Sequence, residues 1–165
     1  MVGEHEELWR KIKVFEVGDP ESAFTFIDRL ARENNWTLEY SLRTFLEYKK
    51  FVFLICIADH PLTPSDEVDQ VWHLHLIYTE SYWIDLCHNV LGRKIHHGPT
   101  KGGQDENDKY HNWYEETKKL YYKTFNSDPP SDIWPSSAIR FTAVNFSRVN
   151  RNSHWIIPKP IFLQK

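Results

Sequence analysis

Two cysteines in 165 residues, Cys56 and Cys87, are too few for the disulfide framework of a small secreted domain. Cys56 lies in "FVFLICIA" at 51–58, the longest apolar run, and is expected to be a small core residue. That run is far shorter than the roughly 18 apolar residues a membrane span needs. The opening "MVGEHEELWRK" carries acids and lacks an apolar stretch, so no secretory signal is visible and a cytoplasmic location is expected. Catalytic signatures are missing as well: there is no phosphate-cradling G-x-x-x-x-G-K-[ST], dinucleotide fingerprint, H-E-x-x-H or nucleophile elbow. "GPTKGG" at 98–103 lacks a preceding strand and a Lys-Ser/Thr pair. It reads as a flexible turn, with anion binding through Lys101 the minor alternative. Neither an internal repeat nor a low-complexity tract is present.

A hydrophobic fraction of 41% and an aromatic fraction of 15% suit one globular domain, which at this length buries roughly two-thirds of its unfolded surface. The net charge of −3 hides an asymmetry. Residues 133–165 hold Arg140, Arg148, Arg151, Lys159 and Lys165 and no acid, a balance of +5. The preceding 132 residues hold 15 basic and 23 acidic side chains, a balance of −8. A basic tail on an acidic body is expected to pack on that body or to dock a protein partner. Phe141, Phe146, Trp155 and Phe162 among its cations would suit stacking on single strands. No nucleic-acid module signature accompanies them, so nucleic acid is not the expected partner.

Spacing predicts a mainly α fold. Leu8, Trp9, Ile12 and Phe15 form one stripe of a first helix over 5–17. Asp19 as N-cap and Pro20 at the first position predict a second helix reaching Asn34. A third, from about Thr37, is apolar on one side early and all round later, which predicts a buried second half. Pro61 and Pro64 end it, and Thr63 with Asp66 or Glu67 signals a restart. Helical spacing returns through Tyr110, Trp113, Tyr114, Leu120 and Tyr121. Beyond "NSDPPSDIWPSS" come short β-favouring pieces such as "IRFTAVNFSRV" and "HWIIPKPIF". The expected architecture is a single-domain bundle of about five to six helices over 1–132, with an irregular or short-β tail, 133–165, packed on it.

One stretch stands apart. "DEVDQVWHLHLIYTESYWIDLCHNVLGRKIHHGP", residues 66–99, gathers five of the nine histidines and two of the seven tryptophans. On a helix, residues four apart share a face and residues two apart do not. Asp69 and His73 are therefore neighbours, while His75 turns toward Val68, Val71, Trp72 and Thr79 as a hydrogen-bonded core histidine. Asp69 can fix His73 through a structural hydrogen bond or share a metal with it. His96 and His97 would complete a set of two or three imidazoles and a carboxylate, with His75 or Cys87 as further candidate ligands. Such a set suits zinc, or iron with open positions, and copper is a third candidate.

Distance is the obstacle. An unbroken helix over 64–91 would be about 40 Å long and would leave His96 and His97 roughly 25–30 Å from His73. The metal reading requires a break, expected at "YTESY", 78–82, with Thr79 or Ser81 capping a returning segment. Cys87 between Leu86 and Val90 also reads as core, and His111 with Glu115 as a surface pair.

The string from Asp66 to Gly103, followed by "YHNWYEETKKLYYKTFNSDPPSDIWP" and "NSHWIIPKP", resembles the glycine-rich domain-containing protein-like family of bacteria and plants over about residues 61–160. Its most specific element is Val68, Asp69, Trp72, His73 and His75, with Tyr82 and Cys87 downstream. Plant members tend to have proline where this chain has Thr79, which agrees with a helix break. The glycine-rich segment of many members is not in this sequence, so no role of that segment carries over. The resemblance implies a domain more than a reaction.

Three readings follow. In the first, Asp69, His73, His96 and His97, with His75 or Cys87, hold a metal that acts on a small-molecule substrate, and Tyr78 or Tyr82 places a proton. In the second, Trp72, Trp83 and Trp113 build the core of a non-catalytic interaction module. The third is a histidine-based pH sensor.

Overall fold

A computed structural model of the chain describes residues 3–98, 104–142, 146, 149, 150 and 152–157. The loop at 98–103, apart from Gly98, lies outside them, as do Arg148, Arg151, Lys159, Phe162 and Lys165.

The first helix follows the stripe predicted for it, and the ends of the second are set by local capping. In α1 (Gly3–Val14), Ile12 is buried while Leu8, Trp9 and Phe15 pack partly against the core. α2 (Phe26–Asn34) starts six residues after the expected Pro20. Asp19 does cap, but only a turn: its Oδ1 accepts the Glu21 N–H and its carbonyl the Ser22 N–H. Thr25 starts the helix, because its hydroxyl takes the Asp28 N–H while Asp28 returns a bond to the Thr25 N–H. Asn35, in the left-handed region at φ 56°, ends it.

α3 (Leu38–Ile57) is the central column and touches α1, α2, α4 and α5. Its all-apolar half is buried as the pattern requires, with Phe51, Val52, Phe53 and Leu54 inaccessible. Cys56 departs from expectation. It is half-buried at the helix end, and burial raises its thiol to about 11. α4 (Asp66–Ile77) is capped by buried Ser65, whose hydroxyl accepts the Val68 N–H, and not by Thr63. Asp66 and Asp69 complement the positive end of this helix, while burial raises the neighbouring Glu67 to about 7.

After α4 comes a π-helix, Ser81–Val90, then α5 (Gln104–Phe125) and the short α6 (Ser137–Arg140). The described residues contain no strand, and the expected β pieces at 154–157 are irregular. Just past residue 132, Ile133 and Trp134 are core residues. Arg140 pairs with Asp66 at 2.6 Å and donates to the Pro64 carbonyl, tying the tail to the start of α4. Farther on, Trp155, Ile156 and Ile157 are exposed. His111 meets Phe141, with ring centres 4.1 Å apart, where a pair with Glu115 was expected.

Four fully buried tyrosines give the core its polar skeleton. Tyr48 meets the His75 ring, Tyr82 donates to the Ile95 carbonyl and Tyr114 to the Pro135 carbonyl, and Tyr121 joins Glu47. Each supplies a large apolar area and still satisfies its hydroxyl.

Candidate metal centre

The expected break is present, though a side-chain cap does not make it. α4 stops at Tyr78 (φ −85°, ψ 64°), and the next segment begins without a capping hydroxyl. Ser81 Oγ instead lies 3.3 Å from His75 Nε2. The returning segment is wound in the wide π form, closing with Leu91 N–H to the Leu86 carbonyl. Such winding is rare and is frequently found at functional sites. Gly92 stops it at φ 64°. A side chain there would meet nothing within 4 Å, so the backbone angle and not space favours glycine.

Residues 94–98 then run without regular structure, held by Tyr82. Its hydroxyl accepts the Trp72 indole N–H at 2.9 Å and donates to the Ile95 carbonyl at 2.9 Å. Ile95 is buried, His96 is exposed and His97 is half-buried. The alternation sends His97 back to α4, where its Nε2 lies 2.6 Å from Asp69 Oδ1. The His73 Nε2 is 3.6 Å from the other oxygen, Oδ2. Ring centres of His73 and His97 are 4.6 Å apart, and Trp72 walls the far side, 4.5 Å from His97.

Asp69, His73 and His97 thus present one ligand atom each, all within 4.8 Å of one another. Ligands bound to one ion at about 2.1 Å lie roughly 3.0–3.4 Å apart, so the wider sides of this triangle, up to 4.8 Å, would close and the 2.6 Å contact of His97 with Asp69 would open around an ion. Asp69 and His97 are mostly covered, with side chains 18% and 17% accessible, whereas His73 at 50% opens one side to solvent.

The other candidates go elsewhere. His75 is fully buried, with Nδ1 2.9 Å from the Tyr48 hydroxyl and Phe15, Phe26 and Tyr82 around its ring. Burial pulls it down to about 3. Cys87 is a core residue whose thiol is raised by burial. His96 packs on Trp83, with ring centres 5.6 Å apart. Tyr78 leans on Phe26, under the Arg29 guanidinium. Tyr82 is sealed in the core, burial keeps its phenol protonated, and its proton already serves the Ile95 carbonyl. It positions the site and does not face it.

Trp72 was read from the sequence as a packing residue, and its place beside His97 has no signal at the level of spacing. Tyr82→Phe tests the support. It leaves the Trp72 indole N–H and the Ile95 carbonyl without their buried partner, an expected cost of about 1–3 kcal/mol in urea unfolding. A variant as stable as wild type would remove Tyr82 from this role.

Compared with protein-family models, curated proteins and solved structures, the chain matches none.

Proposed function

We propose that the chain is a metal-binding domain whose ion is held by Asp69, His73 and His97. One observation carries this reading. Two segments 28 residues apart in sequence converge so that two imidazoles and a carboxylate share one small volume. A structural hydrogen bond between Asp69 and His97 needs no second histidine, and His73 stands on the same carboxylate. Two histidines and one carboxylate suit zinc or iron(II), with copper also compatible with the imidazoles. Three protein ligands leave coordination positions open, and the accessible His73 side is where water or a small substrate would reach them. The ion would then serve as a Lewis acid or activate water or oxygen. Likeness to the glycine-rich domain-containing protein-like family belongs to the same proposal and adds no reaction to it.

The test is metal content by mass spectrometry on protein purified without a metal-affinity tag. Wild type should carry near-stoichiometric iron, zinc or copper, directly or after anaerobic loading. Asp69→Ala, His73→Ala and His97→Ala should each retain less than about one-tenth of it, since lost ligands cost more than the 10- to 100-fold of lost supporting residues. His96→Ala and Cys87→Ser should keep it. A wild type that takes up no metal ends the proposal.

A second reading rests on the exposed Trp155, Ile156 and Ile157, an apolar strip in a basic tail that suits a protein partner. It leads to a non-catalytic interaction module. In that case His73→Ala and His97→Ala change stability alone.

A further inference from the structure

Behind Trp72 lies a cleft of about 430 Å³, within the range of small-molecule sites. It is built from two stretches far apart in sequence, the end of α3 with its loop (Ile55 to Leu62) and the segment after the π-helix (Arg93 to His96). Ile55, Leu62, Trp72 and Ile95 supply an apolar wall. Around it stand Arg93, Lys94, His60 and His96, against a single carboxylate, Asp59.

The Asp59 side chain is 98% accessible, with His60 Nε2 at 3.9 Å, and Arg93 and Lys94 are exposed as well, so water screens all three charges and the balance is two cations against one carboxylate. Arg93 Nη1 approaches the Cys56 carbonyl at 3.5 Å, and part of its charge answers the negative end of α3. Among the described residues neither Arg93 nor Lys94 forms an ion pair. The cleft therefore combines a modest apolar surface, from half-buried Ile55 and Leu62 and the nearly covered Trp72 and Ile95, with two cations against one carboxylate at its rim.

We infer that this cleft binds a small organic anion, an aromatic or branched carboxylate, with its apolar body on Trp72 and Leu62 and its acid group toward Arg93 and Lys94. Neutral apolar ligands would gain nothing from the two cations, which stay in water. Inorganic anions would gain nothing from the wall. A carboxylate on an apolar body uses both, through charge-assisted hydrogen bonds and area removed from water. Trp72 is also the wall of the Asp69, His73 and His97 cluster, so an occupant would lie next to that cluster. Binding in the cleft does not require a metal.

The experiment uses the full chain, stripped with a chelator, titrated in low salt with naphthalene-1-acetate and with its neutral amide, and followed by calorimetry and amide NMR. The carboxylate should bind about tenfold or more tightly than the amide, with shifts concentrated at residues 55–62, 72 and 93–96. In Arg93→Gln/Lys94→Gln its affinity should fall to that of the amide. Lys94→Gln alone, at an exposed position, should lose about threefold and serves if the double variant does not fold. No binding to wild type, equal binding of the amide, or unchanged affinity in the variants would each overturn the assignment. Because metal is absent throughout, failure here leaves the metal proposal standing, and failure of that proposal leaves this one untouched.

Discussion

Glu47→Ala is expected to lower unfolding free energy by about 3–5 kcal/mol. Glu47 is 4% accessible, and every partner it has lies inside. One carboxylate oxygen accepts from Lys50 at 2.8 Å and Tyr121 at 3.2 Å, and the other accepts the Trp134 indole N–H at 3.0 Å. Lys50 also donates to the Tyr121 hydroxyl at 2.6 Å. Alanine would leave a partly buried ammonium without its counter-charge and two buried N–H or O–H groups without acceptors. Glu47→Gln keeps an acceptor for Trp134 and should lose roughly half as much. Chemical denaturation read by tryptophan fluorescence measures both. A loss below about 1 kcal/mol for alanine would mean that the group is solvated and the network is not what holds Trp134.

The second large effect is a loss of stability in acid that runs through His75. Its folded value is pulled down to about 3 by burial, against an unfolded value near 6.5. The unfolded chain therefore binds a proton that the folded chain refuses, and stability rises with pH wherever that holds. The contribution is fully present above about pH 6.5 and drains away as pH falls toward 3. Its full size is on the order of 5 kcal/mol. In His75→Asn this source of acid sensitivity is gone, so the stability gap between wild type and variant should narrow steadily from pH 7 to pH 4. A gap that stays constant would place the acid sensitivity elsewhere, in the carboxylates.

Glu47 and His75 also mark what sequence reasoning can reach. Helical geometry turns His75 away from His73, which favours the core over its alternative as a further ligand, and the core is where it lies. The break near Tyr78 was readable because a metal hypothesis demanded it, and the chain does return His97 to Asp69. Spacing alone could not separate His96 from His97, since that depends on Ile95 being drawn inward by Tyr82. Glu47 looks like an ordinary surface acid in "LEYKK". Its partners at 121 and 134 lie 74 and 87 residues away, and no local pattern encodes such a contact. The cleft was hidden for the same reason, with its two halves about 35 residues apart. The winding of 81–90 was illegible because a shift of hydrogen-bond partner by one residue barely disturbs an apolar stripe. Helix starts at Thr25 and Ser65 were misplaced because several residues can cap, and the winner is decided by which hydroxyl meets an N–H.

The wide winding of Ser81–Val90 has a consequence for the chain as a tether. A π-helix takes up more residues per unit of axial length than an α-helix, so the link between Tyr78 and His97 carries slack in coiled form. Losing a residue from this segment could be absorbed by rewinding toward the α form, with both ends left in place. Rewinding without a deletion would pay out length and carry His97 away from Asp69. The reach of that one imidazole is thus set by a pitch, and the spacing between Asp69 and His97 along the chain can vary while the distance between them in space does not.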